Sequence, residues 1–160
     1  MTLLRNLLLT ALLALNVNAF AQNADTSEVM KPINLLFEGM KKADSSMVSK
    51  AFFKEAKMFT STKNKKGVDV ITKAELDKFL KLLGSKNPND PVWNEKIFNL
   101  KVNIDGGIAQ VWTEYSFFVG DKFSHCGVNA FQLMKDNSGW KIIHIMDTRR
   151  KNGCKDQSSD

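Results

Sequence analysis

Between residues 92 and 149 the chain alternates apolar and polar positions in four long runs. Three turn signals separate them: Asp105-Gly106-Gly107, Val119-Gly120-Asp121-Lys122 and Asp136-Asn137-Ser138-Gly139. A period of two bounded by such turns predicts a four-stranded antiparallel meander. Upstream the period changes. Val29, Ile33, Leu36, Phe37 and Met40 recur at helical spacing, which predicts an amphipathic helix over 28–42 with Ser27 as N-cap. Asp44 is placed to cap a second, shorter helix carrying Met47, Val48, Ala51 and Phe52. Residues 56–60 and 68–72 read as two short strands around a turn at 63–67. Leu76, Phe79, Leu80 and Leu83 line one side of a third helix, with Gly84 at its C-cap. The fold class is α+β: three helices in the N-terminal half, packed in two layers on a curved antiparallel sheet that ends in the meander.

Hairpin turns set register, and register sets which face is dry. Closing the three turns pairs Ile104 with Ile108, Phe118 with Phe123, and Lys135 with Trp140. One face then carries Phe98, Leu100, Val102, Ile104, Trp112, Phe131, Leu133, Trp140, Ile142 and Met146 and reads as the core. The polar residues Glu114, Ser116, His125, Asn129 and His144 fall on that same face. An ionised carboxylate or an unpaired imidazole buried there costs several kcal/mol, on the order of a lost buried ion partner. A sheet wrapped around a wet pocket accommodates such groups. Glu114 lies diagonally from His125, within reach of a carboxylate–imidazole pair that would orient a general base. The plainer reading of such a pair is a structural contact. His144 is most simply a core histidine bonded to backbone, and Trp112 and Trp140 are core aromatics before they are pocket walls. Glu95, Asn99, Lys101, Thr113, Tyr115, Asp147 and Arg149 fall on the opposite face, among Val111, Phe117 and Val128.

The ends and the composition narrow the class. Residues 1–21 read as a signal peptide: Arg5 in the n-region, an apolar stretch over 7–17, and Ala19-Phe20-Ala21 at the cleavage site. The apolar stretch is too short for a membrane span, so no span remains after cleavage. Residues 22–27 then form a flexible lead-in, 28–154 a single domain, and 155–160 a flexible tail. Export predicts a periplasmic or extracellular location. In that compartment two cysteines, Cys126 and Cys154, make a disulfide the default. The net charge of +6 comes from lysines spread over helical polar faces and loops. Arginine is scarce and no aromatic–basic stripe accompanies it, which argues against nucleic acid. Asp147, Arg149 and Arg150 read as a solvated strand end. Two histidines without an acidic cluster give no metal site, and nothing calls for a cofactor.

The closing Gly139-Trp140-Lys141-Ile142-Ile143, followed by Asp147-Thr148-Arg149, resembles the nuclear-transport-factor-2-like (NTF2-like) superfamily. Trp112-x-x-Tyr115 and His125-Cys126-Gly127-x-Asn129-x-Phe131 resemble its secreted SnoaL-like and lumazine-binding members. The resemblance implies a cone-shaped α+β fold enclosing an apolar cavity, often in a homodimer, and does not imply one activity. Ketosteroid-isomerase-like members use a pocket Asp as base; the matching position here holds Asn129, which cannot take a proton.

These readings converge on an exported domain that binds a small apolar or heterocyclic molecule. Trp112, Phe98, Phe131, Met146 and His144 would wall the pocket, while Tyr115 and Asn129 join Glu114 and His125 in orienting the ligand. The alternatives are an acid–base enzyme of isomerase or dehydratase type using His125 and Glu114, and a dimerising module docking through Val111, Thr113, Tyr115, Phe117 and Val128.

Overall fold

The computed structural model describes residues 25–154. The expected signal peptide (1–21), the first part of the lead-in and the tail (155–160) lie outside the described residues. The first helix, α1, is described over residues 25–42, so the end of the lead-in is helical and Ser27 lies within the helix rather than capping it. Val29, Ile33, Leu36 and Met40 are buried, as their spacing predicts. Ala43 takes a left-handed φ of 55° and breaks the helix. Asp44 then caps α2 (Ser45–Ala51), its side chain accepting a 2.8 Å hydrogen bond from the backbone N–H of Met47. Phe52 belongs to the next element rather than to α2.

β1 (Phe52–Lys63) and β2 (Asp69–Ala74) form a hairpin, followed by α3 (Leu76–Gly84). Four longer strands complete the chain: β3 (Trp93–Asp105), β4 (Ile108–Val119), β5 (Lys122–Asp136) and β6 (Gly139–Arg149). The six strands make one curved, open sheet in the order β2-β1-β6-β5-β4-β3. Neighbours are antiparallel except β1 and β6, which run parallel; the wholly antiparallel sheet expected from sequence is corrected on this point. The parallel pair is possible because most of the chain separates the two strands, so no tight turn has to reverse its direction.

The helices cover one face of the sheet. Ile33, Leu36, Val48, Leu83, Val111, Phe131, Leu133 and Ile142 form a continuous core between the layers. Each such fully buried side chain contributes about 1.5–3 kcal/mol relative to exposure. On the meander this core occupies the end bearing the β3–β4 and β5–β6 turns, where Val102, Ile104, Ala109 and Trp140 close it.

Three register shifts bend the meander. Between Phe98 and Lys101 two residues of β3 face one of β4; Ser124 is the extra residue of β5 against β4; Ile143 is the extra residue of β6 against β5. Asn99, in the first shift, takes a left-handed φ of 54°. Bulges of this kind increase local twist and curvature.

Cys126 and Cys154 are joined by a disulfide. Beside it, Cys126 and Arg150 exchange two backbone hydrogen bonds of 2.9 Å. The crosslink closes 28 residues of separation, which corresponds to about 3–4 kcal/mol in the chain-entropy treatment. Cys154→Ser should therefore lower Tm by roughly 10 °C, read by circular dichroism. A shift within error would show that the backbone bridge alone holds the chain end.

Candidate functional site

The sheet and the helices are not packed against each other along their whole length. At the end where β3 starts, β4 ends and β5 starts, a cavity of about 410 Å³ opens between the layers. Leu36, Phe37 and Met40 of α1 and Phe79 and Leu82 of α3 form its helical side. Met58, Trp93, Phe117, Phe131 and Ile145 form most of its sheet side. Phe37 meets Phe131 edge-on at 6.1 Å, and Trp93 meets Phe117 at 6.4 Å, so the walls are braced by aromatic contacts.

Set into this apolar lining is a polar patch made of two hydrogen-bonded groups. The Asn129 amide donates to Glu95 Oε1 at 2.7 Å, reaching from β5 across β4 to β3. Asp147 accepts from Thr60 Oγ1 at 2.5 Å, from Arg149 Nε at 2.8 Å and from the Tyr115 hydroxyl at 3.4 Å. The Tyr115 hydroxyl also donates to the Thr148 carbonyl at 2.9 Å. To do so its ring crosses Gly127, its cross-strand partner. A Cβ at Gly127 would stand 2.8 Å from that ring and 1.8 Å from the Thr148 carbonyl oxygen, so only glycine allows this approach. His125 lies against Tyr115 edge-on at 5.7 Å and tilted over Phe117 at 5.0 Å, with Nδ1 3.0 Å from Ser124 Oγ.

Burial acts on these groups in opposite directions. Desolvation pushes the Glu95 carboxyl up to about 7, opposed by the Asn129 hydrogen bond and reinforced by Asp147. Desolvation, aided by the Arg149 charge, pushes His125 down to about 4. Desolvation also raises Tyr115 well above the usual phenol range. At neutral pH the patch thus presents a neutral imidazole, a neutral phenol, a carboxyl near its midpoint and an amide. Among the described residues no group of three or more His, Cys, Asp or Glu is placed to hold a metal ion.

Residues 24–146 match the model of a family described as "Putative lumazine-binding". The chain belongs to this family. NTF2-like structures share its fold. A Shewanella baltica NTF2-like protein of unknown function superposes with a TM-score of 0.61 at 17% identity, covering 81% of this chain and 96% of that one. An NTF2-like protein with a cystatin-like fold from Novosphingobium aromaticivorans gives 0.64 at 10% identity, over 86% and 89%. A "putative dehydratase from the NTF2-like family" of Streptomyces avermitilis gives 0.58 at 13% identity, over 81% and 98%. No curated protein matches the chain.

Within this domain, Tyr115, His125, Asn129 and Phe131 line the cavity. The other sequence candidates do not. Trp112 and Met146 are 45% and 46% exposed, on the opposite face. Glu114 pairs across the strands with Val128, and its Oε1 accepts from Asn99 Nδ2 at 3.2 Å; it is not the partner of His125, whose cross-strand neighbour is Phe117. His144 bonds Gln132 rather than backbone and packs edge-on against Phe59. Phe98, opposite Glu114, shares its face and lies outside the cavity lining. Conversely Val111, Thr113 and Tyr115 are buried and Phe117 lines the cavity, which removes them from an outer docking face.

One cause explains these corrections. Gly106-Gly107 is a two-residue turn that pairs Asp105 with Ile108, one residue away from the expected closure. The bulges at Ser124 and Ile143 then shift β5 and β6 beyond the correctly closed second and third turns. Glu95 was assigned to the wrong face by the register shift within β3 between Phe98 and Lys101, and Asp147 and Arg149 by the bulge at Ile143. The run Val111-Thr113-Tyr115-Phe117-Val119, more apolar than its alternate, carried the signal that would have recovered β4.

The two displaced titrations have opposite effects on stability. Glu95 keeps its proton in the fold up to about 7, against an ordinary 4.5, so its contribution favours the fold at low pH and is lost as pH rises through that window. His125 resists protonation down to about 4, against 6.5, so its contribution is present above 6.5 and lost as pH falls. Between these limits the two slopes offset each other. Glu95→Gln should leave the histidine slope alone, so that Tm climbs by several degrees (about 2–4 °C per kcal/mol) between pH 4.5 and 6.5. A variant profile parallel to wild type would show that neither group is displaced as described.

Proposed function

We propose that this is an exported domain that binds a small apolar or heterocyclic molecule in the cavity between helices and sheet. The observation that carries the reading is the Glu95–Asn129 pair set in an otherwise aromatic and aliphatic lining. A cavity of about 410 Å³ suits a ligand of two or three rings. Glu95, with a proton at hand, and the Asn129 amide offer adjacent donor and acceptor atoms of the kind that pair with the lactam or imide edge of a heterocycle. The family description points the same way, to a pteridine-like ring such as a lumazine. The disulfide supports export, and no helix among the described residues is long and apolar enough to cross a membrane.

A second reading is acid–base catalysis of the kind a dehydratase needs, the Streptomyces avermitilis neighbour being described as a "putative dehydratase". It is favoured by the same buried carboxyl, and it moves the general base from the His125–Glu114 pair to Glu95, since Glu114 is not at the cavity.

Titration of the mature protein with lumazine should quench Trp93 fluorescence and raise Tm. Asn129→Leu should weaken binding about tenfold, the effect of one lost buried hydrogen bond. Absence of saturable binding by lumazine and by apolar ring compounds of similar size would overturn the binding reading. Turnover lost in Glu95→Gln, with binding retained, would select the enzymatic one.

A further inference from the structure

His125 and Arg149 line not only the apolar cavity but also a second depression, which opens at the strand ends beside it. Its other walls are Ser61, Thr62 and Lys63 of β1, Ser124, Thr148, and the segment from Arg150 to Asn152 that follows β6. Four cationic side chains meet there: Lys63, Arg149, Arg150 and Lys151. Asp69 is the one carboxylate in the wall and is taken up by Lys63 at 2.8 Å. Arg149 is held from beneath by Asp147 through Nε at 2.8 Å. Arg150 and Lys151 have no ion pair among the described residues, so the depression carries an uncompensated positive charge. It is also not a loose surface feature. The paired backbone bonds between Arg150 and Cys126, together with the Cys126–Cys154 disulfide, fix the segment that bears these side chains against β5.

We propose that this depression is an anion subsite continuous with the cavity, so that the ligand is an apolar molecule bearing an acidic group. The apolar body lies among Phe117, Phe131 and Trp93; the acidic group emerges past His125 and is held by Arg149, Arg150 and Lys151. His125, kept neutral between two aromatic rings, forms the passage between the two halves without adding charge of its own. Arg149 is the hinge of the arrangement: Asp147 orients its guanidinium from inside, and the remaining edge is directed to the anion. The inference rests on the cavity being a ligand site, as proposed above, and adds the charge class of what binds there.

Two naphthalene probes that differ by one group test it: neutral N-phenyl-1-naphthylamine and its sulfonate, 1-anilinonaphthalene-8-sulfonate. The full disulfide-bonded protein should bind the sulfonate at least about tenfold tighter than the neutral probe, the worth of one charge-assisted contact. Arg150→Gln combined with Lys151→Gln, both exposed positions, should remove most of that advantage and leave the neutral probe's affinity unchanged. Raising salt should erode the sulfonate's advantage in wild type alone. Equal affinity for the two probes in wild type, or a double variant that weakens both alike or neither, would overturn the anion subsite while leaving the cavity reading intact. Failure of both probes to bind would overturn the cavity reading itself.

Discussion

A strand shows alternate side chains to its two faces, and a single inserted residue exchanges them. That constraint governs everything at the site. The bulge at Ser124 places His125 and Asn129 on the helix-covered side while leaving the preceding turn closed in its ordinary way. The bulge at Ile143 lets Ile142 serve the core and, further along the same strand, brings Ile145, Asp147 and Arg149 to the cavity. The irregularity in β3 does the same work for Trp93, Glu95 and Ile97 at one end and Val102 and Ile104 at the other. Without these shifts each strand would present a uniform stripe, and the filled half and the open half of the interior could not both be lined by suitable residues.

The polar patch is tolerated in its apolar setting because its members satisfy one another. Asp147 has three side-chain donors, from Thr60, Tyr115 and Arg149, drawn from three different strands. Glu95 instead depends on the Asn129 amide and on retaining its proton. The two carboxyl groups in the cavity thus reach low cost by different routes: Asp147 through three donors that include a guanidinium, Glu95 through one amide and a proton held up to about 7. That difference separates a fixed structural carboxylate from one still open to a ligand.

Much of this architecture is legible in the chain. The helical spacing of Val29, Ile33, Leu36 and Met40, the Asp44 cap, the third amphipathic helix and the turn residues are local signals, and local signals specify local structure. The cavity residues His125, Asn129 and Phe131 were also named, because alternation along β5 gives them one face, and Tyr115 entered through the family resemblance, which does not depend on register. Glu95, Asp147 and Arg149 could not be placed in the same way. Their orientation depends on extra residues in β3 between Phe98 and Lys101 and at Ile143 in β6 that no turn motif announces, since a bulge is stabilised by the sheet around it rather than by its own sequence. Trp112 misled for a related reason: a large aromatic residue in a strand suggests the core, yet its face is decided by its neighbours' pairing.

The parallel contact between β1 and β6 has a consequence for the order in which the molecule assembles. β1 sits near the start of the domain and β6 at its end, and β1 reaches the meander only through β6. The meander can zip through successive short turns, whereas joining the β1–β2 hairpin to it requires closing a loop that spans most of the chain. Contacts of such sequence separation form slowly. The cavity roofed by α1 and α3 is therefore complete only when that long loop closes, whereas the segment after β6, pinned to β5 at Cys126, is placed by the meander itself.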